Sequence, residues 1–388
     1  MNKLVNFMLY IYQTALDKHE KNVITDVLQK EEFSKIENKP IKKVKQIIFV
    51  VPELERFAGG HTSILRLGTK LSEKYKVIYA NIGKQNSKEM REIANSNLGD
   101  VKGEFCDYIK VKEYEDANNI IIATSWQTAY YAKQLLGYKM YFVQDYEPYF
   151  FKLNERYLLA RKTYEMGFHI VSLGQWNIQQ IKRECNTNSI LDFIDFPYES
   201  KEYANIIRNY MEYKHKKTIK LVVYAKEDGK RLPNLIQHIL VKAKEKLEIK
   251  GILLDIYFFG FDKKYKVDIG QNLGKLNKKE LADLYKICDF GMVASMTNIS
   301  LVPYEMLAMG LPIIEFLDGS FSSFFPEGSA TLINLNVDDF VLKIEKCLRK
   351  PEFIEKQIEI AQNYLKQLSW SNSAKQFIKI IEEKVLCQ

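Results

Sequence analysis

The sequence predicts an α/β protein built from two Rossmann-like, doubly wound parallel-sheet domains. From Gln46 onward, short runs rich in Ile, Val, Phe and Tyr alternate with amphipathic stretches, which is typical of β-α units around a buried parallel sheet. A polar stretch from Glu199 to Lys217 interrupts this pattern, which then begins again. The length of 388 residues suits two domains of ordinary size.

The first domain is predicted to span residues 41–200. Each of its expected strands is a short apolar run bounded by polar or turn-forming residues. The strands are expected at Gln46–Val51, Lys76–Ala80, Asn119–Ala123, Lys139–Val143 and His169–Ser172. Helices are expected to begin near Thr62, Gln127, Asn154 and Gln175.

The second domain is predicted to span residues 218–368, and residues 369–388 are expected to return to the first domain. Ligands of open parallel sheets bind at the carboxyl ends of the strands, so we expect the two domains to face a cleft. The predicted strands are Ile219–Tyr224, Leu253–Phe259, Phe290–Val293, Pro312–Phe316 and Thr331–Asn334. Helices are expected after Leu232, Asn277, Pro303 and Asn336, and then at Pro351–Leu368 and Ser371–Val385.

Residues 1–40 precede the first strand and belong to neither pattern. Their apolar run, between Lys3 and Asp17, is too short to span a bilayer. We interpret this segment as an N-terminal helical extension. One hypothesis is a surface helix packed on the first domain, and the other is an amphipathic contact with a membrane or a partner.

The net charge of +8 is concentrated in one part of the sequence. The segment Lys201–Glu280 holds 19 basic and 10 acidic residues, so it contains the whole excess. It has no recognised nucleic-acid-binding motif and no interleaved aromatic residues, which argues against a nucleic-acid partner. A solvated face turned toward an anionic membrane that presents a lipid-linked acceptor is the alternative interpretation.

Cysteine usage indicates a reducing, cytoplasmic compartment. An odd number of cysteines without C-x-x-C spacing favours neither a disulfide framework nor a zinc site. The chain also has no D-x-D sequence, so a divalent cation that bridges a diphosphate has no evident ligands. We therefore expect no metal and no other cofactor. The cysteines are Cys106, Cys185, Cys288, Cys347 and Cys387.

Paired glycines, Gly59 and Gly60, follow the first predicted strand and lead directly into a helix. The surrounding residues do not form G-x-G-x-x-G, so binding of a nicotinamide cofactor is only weakly indicated. Glycine backbone beside a helix N-terminus is a place where a phosphate can meet free N–H groups. The alternative is a flexible turn with Thr62 as the helix N-cap.

Basic residues follow two strands of the second domain. Lys226, Lys230 and Arg231 come after its first strand, and Lys275 comes after a later one. At the carboxyl ends of the strands such cations can neutralise a diphosphate. Lysines elsewhere in the basic segment are interpreted as ordinary surface residues.

The most specific stretch is Ser295–Pro312. Pro303 suits the first position of a helix and Gly310 suits the residue just beyond its end, so together they predict a helix of two turns. Glu305 would lie in the first turn, where the helix dipole favours a carboxylate. A carboxylate there can also accept hydrogen bonds from both hydroxyls of a ribose.

Together these features resemble the GT-B glycosyltransferases, specifically glycosyltransferase family 4. The shared features are two Rossmann-like domains, the Gly-Gly turn, the cations of the second domain and a Pro-x-Glu-x-x-x-x-Gly-x-Pro helix. The resemblance covers roughly Gln46–Val385, where Trp370 and the helix after it look like the family's C-terminal helix, which crosses back to the first domain. The fragment Tyr141–Phe150 is similar to a narrower branch, the rhamnosyltransferases that build bacterial surface polysaccharides.

The resemblance implies a hexosyltransferase that uses a nucleotide-diphosphate sugar and acts on a growing oligosaccharide or lipid-linked glycan. It implies retention of anomeric configuration and independence of metal ions. It further implies that Glu305 holds the ribose of the donor. The residues that it implies for the donor diphosphate are Gly59, Gly60, Lys226, Arg231 and Lys275.

Two departures from the family's pattern fall on residues that would touch the transferred sugar. Thr297 stands where the family's paired-glutamate motif has its first Glu, eight positions before Glu305. Gln144 precedes Asp145 where family members often have His and then Asp. A deoxysugar without a 6-hydroxyl is compatible with fewer contacts there, which makes dTDP-L-rhamnose the donor hypothesis. The predicted contacts to the donor sugar are Gln144, Thr297, Asn298 and Ser300.

Asp145 and Glu147 are the candidate catalytic carboxylates. In a retaining enzyme of this family the departing phosphate takes the acceptor proton, whereas in an inverting enzyme one of these carboxylates would be the base. The structural alternative is a turn acid followed by a solvated acid beside Pro148. His61 is a further candidate for a contact to donor or acceptor.

Two other functions remain open. A nucleotide-sugar epimerase has the same fold and acts on free donor without an acceptor. A non-catalytic GT-B-like subunit that binds a partner enzyme or a membrane is suggested by Thr297 in place of the family's acid.

Overall fold

The computed structural model describes residues 2–30, 34–56, 58–199, 203, 205–227 and 229–387. Phe57, Lys201 and Asp228, which belong to stretches singled out in the sequence, lie outside the described residues. The chain divides into two compact units, Met1–Ile194 with Ser373–Gln388 and Asp195–Asn372.

The first unit is built on a parallel sheet in the order β3-β2-β1-β4-β5-β6-β7. Every residue of the two central strands, β1 and β4, is buried, because helices cover both faces of such a sheet. The strands are β1 Ile47–Val51, β2 Val77–Asn81, β3 Glu104–Asp107, β4 Ile120–Ala123, β5 Tyr138–Val143, β6 His169–Leu173 and β7 Leu191–Ile194. The helices are α1 Asn2–Gln29, α2 Gly59–Leu71, α3 Ser87–Leu98, α4 Tyr108–Val111, α5 Trp126–Lys133, α6 Glu155–Thr163 and α7 Gln175–Glu184.

The helix α1 packs against the first unit through its second half. The hydroxyl of Tyr131, on α5, donates a hydrogen bond to Asp26. The guanidinium of Arg156, on α6, pairs with Glu20 at 3.3 Å. Within the described residues, no helix has the length and apolar character needed to cross a bilayer.

The end of the chain also belongs to the first unit. The helix α13 (Trp370–Ile380) continues as a π-helical turn over Ile381–Val385. Phe377 packs edge-on against Phe142 of β5 with ring centroids 6.3 Å apart. The backbone N–H of Ile41 donates to the carbonyl of Val385 at 2.9 Å.

The second unit contains a second parallel sheet in the order β10-β9-β8-β11-β12-β13. Its strands are β8 Thr218–Tyr224, β9 Leu253–Phe259, β10 Gln271–Asn272, β11 Phe290–Met292, β12 Ile313–Phe316 and β13 Thr331–Ile333. Its helices are α8 Pro233–Ile249, α9 Lys278–Ile287, α10 Leu301–Ala308, α11 Val337–Arg349 and α12 Glu352–Leu365.

The polar stretch before β8 packs on the second unit. Arg208 donates a hydrogen bond to the carbonyl of Cys288 at 2.7 Å. The hydroxyl of Tyr213 donates to the carbonyl of Asp289 at 2.8 Å. These long side chains satisfy backbone carbonyls at the start of β11, so residues 205–217 form part of the unit rather than an open linker.

The predicted strands lie within one residue of the observed ends. Three strands, β3, β7 and β10, were not expected from the sequence, and all three lie at edges of their sheets. Edge strands are short and partly solvated, so they lack the continuous apolar run that marks a central strand. The amphipathic helix α3 and the single turn α4 were also not expected.

Candidate functional site

The second unit has a topological switch point between β8 and β11. From β8 the sheet continues through β9 on one side and through β11 on the other. The loops after β8 and β11 therefore diverge and leave a crevice. Residues 225–232 follow β8 and residues 293–300 follow β11. These loops carry five of the ten residues that the sequence predicts for donor binding: Lys226, Arg231, Thr297, Asn298 and Ser300.

Arg231 connects the two loops. It is buried, with 6% of its surface exposed, and its Nη1 donates a hydrogen bond to the carbonyl oxygen of Ala294 at 3.0 Å. The next residue, Leu232, has φ 48 and ψ 44, in the left-handed region. A non-glycine residue there costs about 1 kcal/mol or more, so the chain is strained where it turns from Arg231 into α8.

The lysines predicted for the diphosphate are exposed. The Nζ of Lys226 lies 5.8 Å from the ring centre of Tyr224, the last residue of β8. Lys275 follows Gly274, whose φ of 80 is readily adopted only by glycine, just after β10. Exposed ammonium groups at strand ends are able to reach an anion without first breaking an internal ion pair.

The helix α10 begins at Leu301, two residues before the predicted start at Pro303. Ser300 is its N-cap residue, and proline is tolerated at the third position because the first N–H groups of a helix have no intrahelical partner. Glu305 therefore lies in the second turn and not in the first, where the dipole effect is strongest. The predicted end is confirmed, since Gly310 has φ 69 and Leu311 N–H donates to the carbonyl of Met306.

The loop before α10 is tightly packed. Thr297 and Asn298 are buried, and Ser300 is partly buried. The Oγ of Ser300 makes no capping hydrogen bond, and it has no hydrogen-bond partner among the described residues. A buried hydroxyl of this kind is available to a ligand at the start of α10.

Glu305 is half-buried and faces Tyr285. The hydroxyl of Tyr285 donates to Oε2 of Glu305 at 3.5 Å. Burial, and then the charge of Glu305, raise the pKa of Tyr285 well above its usual value. The phenol thus stays protonated and remains a hydrogen-bond donor to the carboxylate.

Glu315 is a residue of this region that sequence reasoning missed. It is fully buried on β12, and its two carboxylate oxygens accept hydrogen bonds from Ser295 Oγ at 2.7 Å and Ser295 N–H at 3.1 Å. Burial raises its pKa to about 7, although the Ser295 hydrogen bonds and the charge of Arg231 oppose this rise. The signal in the sequence was a single charged residue inside the apolar strand Ile313–Phe316.

The first unit has its own switch point between β1 and β4. The helix α2 follows β1 and begins at Gly59, with Gly60 as its second residue, so Thr62 is not the N-cap. Both glycines are exposed, and their N–H groups are among the first of the helix, which have no intrahelical acceptor. A Cβ added to Gly60 would lie 3.7 Å from Nε2 of Gln144, so the predicted sugar contact Gln144 lies beside the glycine turn.

His61 is held in one orientation beside the glycines. Its Nδ1 accepts a hydrogen bond from the backbone N–H of Glu55 at 2.9 Å. Burial lowers the pKa of His61. The neutral ring then carries its proton on Nε2, which makes that nitrogen a donor.

Asp145 and Glu147 occupy different environments after β5. Glu147 is 9% exposed; its carboxylate accepts hydrogen bonds from the backbone N–H of Trp126 at 3.0 Å and from the hydroxyl of Tyr141 at 2.6 Å. Burial raises its pKa to about 7. Asp145 is partly exposed, and its Oδ1 accepts from the N–H of Tyr146 at 2.9 Å. Glu147 is thus built into the protein, whereas Asp145 stays near the surface.

No group of three or more His, Cys, Asp or Glu side chains within the described residues is arranged to hold a metal ion. All five cysteines are free of disulfides.

The fold is similar to solved glycosyltransferase structures, although no protein-family model and no curated protein matches the sequence. HepE from Anabaena, in complex with UDP and glucose, has a TM-score of 0.64 at 10% identity over 87% of this chain and 99% of that one. Sucrose-phosphate synthase from Thermosynechococcus elongatus has a TM-score of 0.62 at 12% identity over 87% and 98%. WaaG, a glycosyltransferase involved in lipopolysaccharide biosynthesis, has a TM-score of 0.58 at 14% identity over 87% and 100%. The predicted pair of Rossmann-like domains is confirmed, and the chain has the GT-B fold.

Proposed function

We propose that the chain is a glycosyltransferase that transfers a sugar from a nucleotide-diphosphate donor to a growing bacterial surface polysaccharide or glycolipid. The observation that carries this proposal is the switch point of the second unit, where Arg231 contacts the loop that leads into α10 and Glu305. The fold adds support, because HepE binds UDP and WaaG is involved in lipopolysaccharide biosynthesis.

The donor diphosphate is assigned to the cations of the second unit. Lys226 and Lys275 are exposed at the carboxyl ends of strands, and Arg231 is fixed beneath the loops by Ala294. Binding of an anion to a guanidinium that is already held in position costs little free energy of reorganisation. The N-terminus of α10, with the Ser300 hydroxyl, would add further donors.

Glu305 is assigned to the pentose of the nucleoside, which offers two hydroxyls in UDP and only the 3′-hydroxyl in dTDP. Tyr285 orients its Oε2, and a carboxylate retains further acceptor sites for the hydroxyls of a sugar.

The first unit is assigned contacts at its glycine turn. The free N–H groups of Gly59 and Gly60 suit the donor diphosphate. Gln144, which lies against Gly60, is assigned to the transferred sugar together with Thr297, Asn298 and Ser300. Thr297 is shorter than the family's Glu and carries no charge, which favours a 6-deoxysugar; dTDP-L-rhamnose is therefore our proposed donor.

We propose that the reaction retains anomeric configuration. The bond between the anomeric carbon and the diphosphate oxygen breaks while the acceptor oxygen bonds to the same face. The acceptor proton passes to the departing diphosphate, and Lys226, Arg231 and Lys275 stabilise the charge that develops there. These three cations would provide the positive charge that a divalent metal ion supplies in other enzymes.

The proposed location is the cytoplasm, at the inner face of the membrane where a lipid-linked acceptor is presented. The basic segment that suggested this location is partly neutralised in the structure, because Lys246 pairs with Asp338 and Lys250 pairs with Glu345. Binding to vesicles of anionic lipid that weakens with salt would support the membrane role. Equal binding to neutral and anionic vesicles would leave donor binding as the only role for the basic residues.

A ligand screen tests the function. Thermal unfolding is measured with UDP, dTDP and GDP and with their sugar conjugates, because a ligand that binds only the folded state raises the midpoint. We expect a shift with one nucleotide class, followed by acceptor-dependent release of that nucleotide. Turnover of the donor without acceptor would point to an epimerase, and no shift at about 1 mM nucleotide would point to a non-catalytic subunit.

A further inference from the structure

A cavity at the amino end of the second unit's sheet is lined by three lysines. It has a volume of about 270 Å³ and lies between the first residues of β13, the second half of α11 and the first half of α12. Thr331, the first residue of β13, lines it. Since all strands of the sheet are parallel, the cavity lies at the edge opposite the loops assigned to the donor.

The cavity is positively charged. Lys343 and Lys346 are three residues apart on α11 and share one face of that helix, and Lys356 contributes from α12. No Asp or Glu is among the lining residues. Among the described residues, none of the three lysines forms an ion pair with a carboxylate.

Two of the three acidic side chains of α11 are paired with lysines outside the cavity. Glu345 pairs with Lys250 at 2.8 Å, and Asp338 pairs with Lys246. Three cations around a cavity whose lining has no carboxylate repel one another, so an anion bound there would be attracted by all three.

The remaining lining is apolar, with a small polar floor. Phe353 is 41% exposed at the rim, and the Nζ of Lys346 lies 4.5 Å from its ring centre. At the floor, Nε2 of Gln357 donates to Oγ1 of Thr331 at 3.1 Å. The other lining residues include Ala330, Leu332, Cys347 and Ile360.

We propose that this cavity binds a small soluble organic phosphate, with the phosphate among the three lysines and an apolar or aromatic group against Phe353. A phosphate monoester carries close to two negative charges at pH 7 and three acceptor oxygens, which suits three ammonium donors better than a single carboxylate does. The ring of Phe353 and the apolar walls give the ester group a surface to cover. The site is separate from the donor site and does not depend on the proposed transferase activity.

Calorimetric titration of the full chain with phenyl phosphate tests the site. We expect saturable binding, weaker binding of inorganic phosphate and none of phenol. Lys346→Gln and Lys356→Gln should each weaken phenyl phosphate binding about tenfold, as expected for loss of a charge-assisted contact. Phe353→Ala should reduce the affinity for phenyl phosphate to that for inorganic phosphate, and Lys264→Gln, at an exposed lysine elsewhere in the unit, should have no effect.

Three results would overturn the proposal. The first is no saturation by phenyl phosphate below about 10 mM. The second is an equal loss of affinity in Lys264→Gln and Lys346→Gln, which would indicate nonspecific attraction to surface lysines. The third is loss of phenyl phosphate binding when UDP or dTDP saturates the chain, which would place the ligand in the nucleotide site. Matching thermal midpoints of the variants would show that each remains folded.

Discussion

The guanidinium of Arg231 donates a hydrogen bond to the carbonyl oxygen of Ala294 at 3.0 Å, across 63 residues of sequence. This bond joins the loop after β8 to the loop after β11, the two loops on either side of the switch point. A guanidinium has five N–H donors, so Arg231 can hold the neighbouring loop and still contact a diphosphate. Its replacement should therefore affect both loop order and donor affinity.

Glu315 should stabilise the loop after β11. In Glu315→Ala, Ser295 N–H and Oγ lose their acceptor inside the protein, which costs about 1–3 kcal/mol. We expect faster amide hydrogen exchange in residues 293–300 and donor affinity lower by about tenfold. Glu315→Gln keeps one acceptor and should restore most of the protection.

The matched control is Glu327→Ala, at an exposed glutamate of the same unit. It should leave both exchange and donor affinity unchanged. If Glu315→Ala lowered the thermal midpoint but left exchange in residues 293–300 at the wild-type rate, Glu315 would contribute only to general stability.

Lys226 should contact the donor diphosphate. Lys226→Ala removes an exposed charge-assisted contact, and we expect the affinity for the nucleotide diphosphate to fall by about 10- to 100-fold in calorimetry. Lys214→Ala removes an exposed lysine that precedes β8, at the amino ends of the strands, and should change the affinity little. Equal affinities in a folded Lys226→Ala protein and the wild type would remove Lys226 from the site.

Glu305 should distinguish ribose from deoxyribose. UDP offers two ribose hydroxyls to the carboxylate, whereas dTDP has only the 3′-hydroxyl. Glu305→Gln should therefore weaken UDP by about tenfold and dTDP by less, because fewer charge-assisted hydrogen bonds are lost. The ratio of the two effects in one variant serves as its own control, and an equal change for both nucleotides would contradict contact with the 2′-hydroxyl.

The central strands could be predicted from the sequence, whereas the supports of the site could not. Runs such as Ile47–Val51 are apolar throughout because both faces are covered, and Gly310 marks the end of α10 because its φ of 69 suits glycine. The contact between Glu315 and Ser295 joins β12 to the loop after β11. No local pattern encodes such a contact, and only the lone charge in β12 hinted at it.

The start of α10 shows a second limit. Proline is allowed anywhere in the first turn of a helix, so Pro303 indicated a nearby helix start without fixing it. The N-cap at Ser300 moved Glu305 into the second turn, where the helix dipole explains a glutamate less well, although the hydrogen bond from Tyr285 still gives its carboxylate a structural role.

Glu147 should make the stability of the first unit depend on pH. Its pKa is raised from 4.5 to about 7 in the folded protein, mainly by burial, so the folded state binds more protons than the unfolded state between these values. The contribution of Glu147 to the free energy of unfolding is then fully present below about pH 4.5 and is lost as the pH rises through 7. Glu147→Gln cannot ionise and should gain on the order of 2 kcal/mol relative to wild type between pH 5 and 8.

Urea unfolding at the two pH values measures this difference. The backbone N–H of Trp126 donates to Glu147, so the indole of this residue is a fluorescent reporter in the same part of the first unit. Glu248→Gln, at an exposed glutamate on α8, should show the same pH dependence as the wild type. A constant difference between Glu147→Gln and wild type at pH 5 and 8 would contradict a buried, titrating carboxylate.

Substitution of Asp145 should distinguish retention from inversion of the anomeric configuration. Asparagine can keep the hydrogen bond from Tyr146 N–H to Oδ1, so Asp145→Asn removes the charge and basicity while preserving the turn. A general base contributes about 10²- to 10⁴-fold to the rate. In a retaining transfer the departing phosphate takes the acceptor proton, so we expect kcat to fall by less than about tenfold. The one-bond C–H coupling at the anomeric carbon of the product should show the configuration of the donor. A loss of kcat of about 10³-fold together with an inverted product would instead make Asp145 the base.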